Sequence, residues 1–152
     1  MAKVLILLGS KTDSEVMQEC CRYLDWFGID NNMVVASAHR DPEKAVKLSS
    51  DAKKEGYSCV IGAAGMAAAL PGVIAAHTSL PVIGVPLEGG LPGGIDALYS
   101  IVQMPPGIPV GTVAVGKAGA RNAAVLAARI IALQDKTVSG KLDEFKKAGY
   151  KI

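Results

Sequence analysis

Residues 3–27 read KVLILLGSKTDSEVMQECCRYLDWF, and this stretch decides the fold. Lys3–Leu8 is an apolar run without alternation, the pattern of a strand buried on both faces. Gly9 ends it. Thr12 and Glu15 then have the spacing of a capping box. Val16, Cys20, Leu24 and Phe27 recur on one face of the helix that follows, and Gly28 stands where a helix stop is expected. A buried strand, a short turn and an amphipathic helix make the opening of a crossover unit, the connection that parallel strands require.

The same alternation continues along the chain. Met33–Ala36 reads as a second strand. Asp41-Pro42 pairs an N-cap residue with proline at the first helical position and starts a helix to about Glu55. Cys59–Ala63 is a third strand, and the small-residue segment after it turns helical through Ile74–His77. Pro81–Val85 is a fourth strand, Gly89–Gly94 a flexible loop and Asp96–Val102 a helix. Gly111–Val115 is a fifth strand and Ala118–Gln134 an alanine-rich helix. The tail from about Thr137 has helical spacing but a weak apolar stripe, which suits packing on another subunit. Strands separated by helices imply right-handed crossovers and a parallel sheet. The expectation is a single domain over residues 1–152: a flavodoxin-like, doubly wound, three-layer α/β/α fold.

Composition bounds the function. Sixteen basic and 14 acidic residues give a net charge of +2, without the clustered basic excess of a nucleic-acid surface. Cys20, Cys21 and Cys59 show no C-x-x-C spacing, so neither a zinc site nor a disulfide framework is expected. No stretch approaches the roughly 20 apolar residues of a membrane span. MAKVLILLGS lacks a signal-peptide cleavage region, and the expected compartment is the cytoplasm.

Ligands of doubly wound sheets bind beyond the carboxyl ends of the strands. Four segments fall there: Gly9–Asp13, Ser37–Asp41, Ala64–Gly72 and Pro86–Gly94. In the first, backbone amides and the Ser10 hydroxyl suit a phosphate or carboxylate, and Asp13 suits ribose hydroxyls. Plain helix capping explains the same residue types. In the second, Arg40 is able to clamp a phosphate with two hydrogen bonds, and His39 to carry a proton near neutral pH. The alternative is an exposed histidine beside an arginine paired to a carboxylate. The third segment holds no titratable side chain. It suits close approach of backbone to a flat ring and the lining of a dry pocket, or simply tight helix packing. Leu91–Gly94 suits a mobile cover or a surface loop. Gly111 to Lys117 imitates the start of a P-loop, but Ala118 stands where that motif needs Ser or Thr. No G-x-G-x-x-G follows the first strand. His77 lies in a helical pattern and reads as a packed or surface residue.

Taken in order, these segments resemble the N5-carboxyaminoimidazole ribonucleotide mutase family. Gly9-Ser10-Lys11-Thr12-Asp13 is similar to its G-S-x-S-D segment, and Ser37-Ala38-His39-Arg40 to its S-A-H-R segment. Leu70-Pro71-Gly72, Tyr99 through Pro105, Gly107 through Val110 and Asn122-Ala123-Ala124 follow in family order. The resemblance implies a homo-octameric enzyme of purine biosynthesis without metal or organic cofactor. It implies a small-molecule ribonucleotide held by Ser10, Asp13, Ser37 and Arg40, with Gly65 and Leu70 also at the substrate and His39 as the acid/base. Arg40 after His39 is similar to the mutases. The related carboxylases, which use carbon dioxide directly, place Lys there and G-R-S-N where this chain has Gly65-Met66-Ala67-Ala68. The chain departs from G-G-A-A-H-L-P-G at Met66, where the family has Gly, and at Ala69, where it has His. Gly89 and Gly90 replace small polar residues. A nucleotide- or flavin-binding module on the same fold is the non-enzymatic alternative. The S-A-H-R segment and the lack of aromatics near the ligand loops argue against it.

Overall fold

A computed structural model describes residues 1–152. Five strands form one parallel sheet: β1 (Lys3–Leu8), β2 (Asp30–Val35), β3 (Cys59–Ala64), β4 (Val82–Pro86) and β5 (Gly111–Thr112). Their order is β2-β1-β3-β4-β5, the order of a flavodoxin-like, doubly wound fold. Six α-helices cover it: α1 (Ser14–Trp26), α2 (Pro42–Asp51), α3 (Leu70–His77), α4 (Ile95–Val102), α5 (Gly116–Ala132) and α6 (Lys136–Lys147). No helix is long and apolar enough to cross a membrane.

Strand period two divides the core. Val4, Ile6 and Leu8 of β1 join Ile61, Ile83 and the residues of α1 and α5 in one cluster. Leu5 and Leu7 point the other way, with Val60, Val82, Ala45, Ile74 and Ile101. Each fully buried side chain of this size contributes about 1.5–3 kcal/mol. Few are aromatic, so the layers rely on close approach. Gly62 and Gly84 are register partners on β3 and β4. A Cβ on Gly62 would stand 2.7 Å from Ile74 Cδ1, and one on Gly84 would strike Ile101 and Val110. Their bare backbone lets α3 and α4 lie close to the sheet.

Several expectations hold. Asp41 Oδ1 accepts from the Lys44 amide at 3.3 Å, with Pro42 opening α2. Gly28 takes φ +73°, the left-handed conformation that ends α1. Other boundaries differ. The capping box is not Thr12 with Glu15 but Ser10 with Asp13. The Ser10 amide donates to Asp13 Oδ2 at 2.9 Å, and the Thr12 amide donates to Ser10 Oγ at 3.4 Å. A single 3-10 turn, Lys11–Asp13, therefore precedes α1. β2 begins earlier than its apolar residues, because an edge strand tolerates Asn31 and Asn32. β5 has only two residues, although the Val113 amide still reaches Gly84 O at 3.1 Å. The chain then turns at Gly116, φ +73°, directly into α5, leaving no P-loop.

The tail forms a helix, as its spacing predicts. α6 packs on its own chain. Val138 and Phe145 are buried, and the Phe145 ring lies 5.4 to 5.9 Å from those of Phe27, Trp26, Tyr150 and Tyr23. Edge-on rings at such spacing are favourable. The cysteines are free thiols. Burial pushes Cys20 well up and Cys59 to about 12, so neither is a thiolate near neutrality.

Candidate active site

The strand order reverses at β1. The chain leaves β1 for β2 on one side, and leaves β3 for β4 on the other. The loops after β1 and β3 therefore diverge and leave a crevice. Backbone hydrogen bonds hold the loop origins together: Gly9 N–H to Ala63 O at 3.0 Å, Ala36 N–H to Leu8 O at 2.9 Å, and Leu87 N–H to Ala64 O at 3.0 Å. The result is an open cleft of about 420 Å³. Its walls carry Ser10, Thr12 and Asp13 from the first loop, Ser37, His39 and Arg40 from the second, Gly65, Met66 and Ala67 from the third, and Glu88 from the fourth.

The second loop is a tight turn. Ser37 Oγ accepts from the Arg40 amide at 3.2 Å, and Ser37 O accepts from the Asp41 amide at 2.9 Å. These bonds and the cap on α2 fix the backbone, so the exposed His39 and Arg40 side chains project from a rigid base. The four ion pairs of the chain involve Glu19, Asp51 and Glu144, not Arg40. Its guanidinium is thus available to an anion, and the alternative of an internal ion pair falls away.

The first loop is built to hold Asp13 in place. Burial raises the Asp13 carboxyl above its ordinary value, partly offset by the Ser10 amide. Ser10 Oγ and Thr12 Oγ1 lie 3.0 Å apart, and together they present hydroxyls to the cleft beside that carboxylate.

The third loop is a turn closed by the Ala68 amide on Gly65 O at 3.0 Å. Ala67 holds φ +55° within it, a left-handed conformation that costs a residue with a Cβ about 1 kcal/mol. Ala68 is buried, and Met66 projects into solvent.

Six of the seven expected site residues thus meet in one cleft. Leu70 does not: it opens α3 and is 1% exposed among core residues. Thr12, Met66 and Glu88 also line the cleft. Thr12 belongs to the segment similar to G-S-x-S-D and Met66 marks a departure from the family pattern, whereas for Glu88 a place on a strand-following loop is the only signal the sequence offers. His77 is apart from the cleft, at the end of α3, with Nδ1 2.8 Å from Val73 O. A larger groove of about 520 Å³, along Leu80, Pro81, Pro109 and Leu126, contains no titratable side chain. The 420 Å³ cleft, by contrast, brings His39, Asp13 and Glu88 together.

Known proteins agree with this architecture. The family model described as AIR carboxylase, where AIR abbreviates aminoimidazole ribonucleotide, matches residues 3–151. N5-carboxyaminoimidazole ribonucleotide mutase of Escherichia coli K12 is 48% identical over 97% of this chain and 87% of its own length. The protein of that name from Saccharolobus solfataricus is 49% identical over 95% of this chain and 90% of its own. The crystal structure of Treponema denticola PurE superposes with a TM-score of 0.86 at 28% identity, covering 98% of this chain and 92% of that one. A family model spanning residues 3–151 and relatives nearly half identical over almost the whole chain admit one conclusion: the chain belongs to the AIR carboxylase family, among its N5-carboxyaminoimidazole ribonucleotide mutases.

Proposed function

We propose that this chain is the isomerase of purine biosynthesis that converts N5-carboxyaminoimidazole ribonucleotide to 4-carboxy-5-aminoimidazole ribonucleotide. The observation that carries the reading is the meeting of His39, Arg40, Ser37, Ser10 and Asp13 in one cleft at the switch point. Arg40 and the Ser37 and Ser10 hydroxyls bind the anionic phosphate. Asp13 accepts from ribose hydroxyls. Gly65, without a side chain, lets the flat base lie against the backbone.

The chemistry needs one proton carrier. The bond from the exocyclic nitrogen to the carboxyl carbon breaks, its electron pair stays on nitrogen, and nitrogen takes a proton from His39. Carbon dioxide is freed beside the ring. C4 then forms a bond to that carbon, and His39 removes the C4 proton. The imidazole returns to its starting state, so atoms and charge balance. His39 suits both transfers because its ordinary pKa lies near neutrality. Exclusion of water favours loss of carbon dioxide from a desolvated carboxylate.

Direct use of dissolved carbon dioxide is the second reading, favoured by Ala69, a side chain unable to carry a proton. Labelled bicarbonate separates the two. With N5-carboxyaminoimidazole ribonucleotide as substrate, a mutase forms product containing little label. Full labelling of product made from aminoimidazole ribonucleotide, with no use of the N-carboxylated compound, overturns the mutase reading.

Each chain is proposed to act as one domain of a homo-octamer. The exposed apolar side chains of Ile95, Tyr99 and Val102 along α4, with Leu91 in the loop before it, support assembly; light scattering that finds a monomer at micromolar concentration contradicts it. The free thiols suit the reducing cytoplasm.

A further inference from the structure

Met66 is the one long apolar side chain among the residues lining the cleft. It is 69% exposed, although large apolar side chains at that exposure gain by being covered. Its backbone is not free to retreat. The Gly65–Ala68 turn is hydrogen-bonded shut, Ala67 holds a left-handed conformation, and Ala68 is anchored in the core. Motion is left to the side chain itself, which is unbranched and has three rotatable bonds.

The neighbouring fourth loop does not obstruct that motion. Gly89 lies beside the turn, where a Cβ placed on it would stand 3.9 Å from the Met66 amide nitrogen, and it carries no side chain to block Met66. The fourth loop is held there by the Leu91 amide on Asp96 Oδ1 at 3.1 Å. The third loop thus carries a long flexible apolar side chain at the cleft, and its neighbour Gly89 carries none.

We propose that Met66 is the cover of the cleft: its side chain folds past Gly89 over the cleft mouth, lies on the flat heteroaromatic ring of the bound ribonucleotide, and keeps carbon dioxide from leaving during transfer. Sulfur over or beside an aromatic ring is a favourable contact. The cover acts by retention and takes no proton, so Met66 is a positioning residue. This inference rests on the mutase reading.

The test compares wild type with Met66→Leu, Met66→Gln and Met66→Ala, each given N5-carboxyaminoimidazole ribonucleotide in labelled bicarbonate. Leu keeps an apolar cover, Gln keeps the bulk but not the apolarity, and Ala keeps neither. The expected result is little label in product from wild type and Met66→Leu. Met66→Gln and Met66→Ala should incorporate about tenfold more, with a raised KM and unchanged melting temperature, as loss of apolar cover from a closed site implies. Label uptake in Met66→Ala and Met66→Gln equal to wild type overturns the cover while leaving the mutase reading in place. A wild type that makes no product from the N-carboxylated substrate overturns that reading, and the cover with it.

Discussion

The two ends of α1 differ in nearly every respect. Its first turn borders the cleft, where Ser10, Thr12 and Asp13 are polar, partly exposed and held by short-range hydrogen bonds. At its last turn Tyr23, Trp26 and Phe27 gather around Phe145. Five of the seven aromatic residues sit in that cluster, with Tyr150, and none lines the cleft. One end gains stability by burying large rings. The other keeps groups exposed or strained, as binding requires. The difference teaches that fold and chemistry are maintained by separate residues at opposite ends of one helix.

The sharpest way to break this division is at His39. His39→Asn keeps a hydrogen-bonding side chain but cannot transfer a proton. Turnover should fall about 10²–10⁴-fold, the usual share of general acid–base catalysis. Nucleotide affinity by calorimetry and the melting temperature should stay near wild type. Near-normal turnover in the purified variant would remove His39 from the mechanism.

Phe145→Ala probes the other end. It removes the ring at the centre of the cluster and should cost about 3 kcal/mol of stability in denaturant unfolding. Well below the melting transition, kcat should hardly change. A large loss of kcat in a folded variant would show that the two ends are coupled.

Asp13→Asn sharpens the comparison with the smallest effect. Burial raises the Asp13 carboxyl, so the folded protein favours its protonated form. Such a group contributes stability below its unfolded pKa, and that contribution is lost as pH rises through the folded value. At neutral pH the ionised Asp13 is therefore a small burden, and Asn should raise the melting temperature slightly. The advantage should vanish as pH falls below the ordinary Asp value of 3.8. Affinity for the ribonucleotide should weaken at the same time, since an acceptor for ribose hydroxyls is diminished. Equal advantage at pH 7 and pH 3 would disprove the burial account.

The sequence makes the sheet largely legible because β1, β3 and β4 are buried on both faces and show unbroken apolar runs. The cap of α1 was ambiguous for a local reason: Ser10–Asp13 and Thr12–Glu15 have the same spacing, and only the 3-10 turn decides between them. The packing of α6 is hard to read because its few apolar residues find an aromatic socket contributed by α1, distant in sequence. At the site, His39, Arg40, Ser10 and Asp13 carried chemical signals in their own types. Met66 stands out only as a departure from the family's Gly, Glu88 carries no signal, and the place of both depends on how four loops converge. Leu70 misled in the opposite sense: it lies beside the cleft in sequence, but its side chain turns into the core.

The facing pair Gly62 and Gly84 has a consequence for inheritance. α3 begins just after the Gly65–Ala68 turn, so the depth at which that helix settles fixes where one rim of the cleft stands. Two residues that never meet a ligand therefore act as a gauge for it. Mutational drift is free to reshape the loops and still leave a working enzyme, but a single methyl group gained at either glycine moves the floor on which every loop variant is tried.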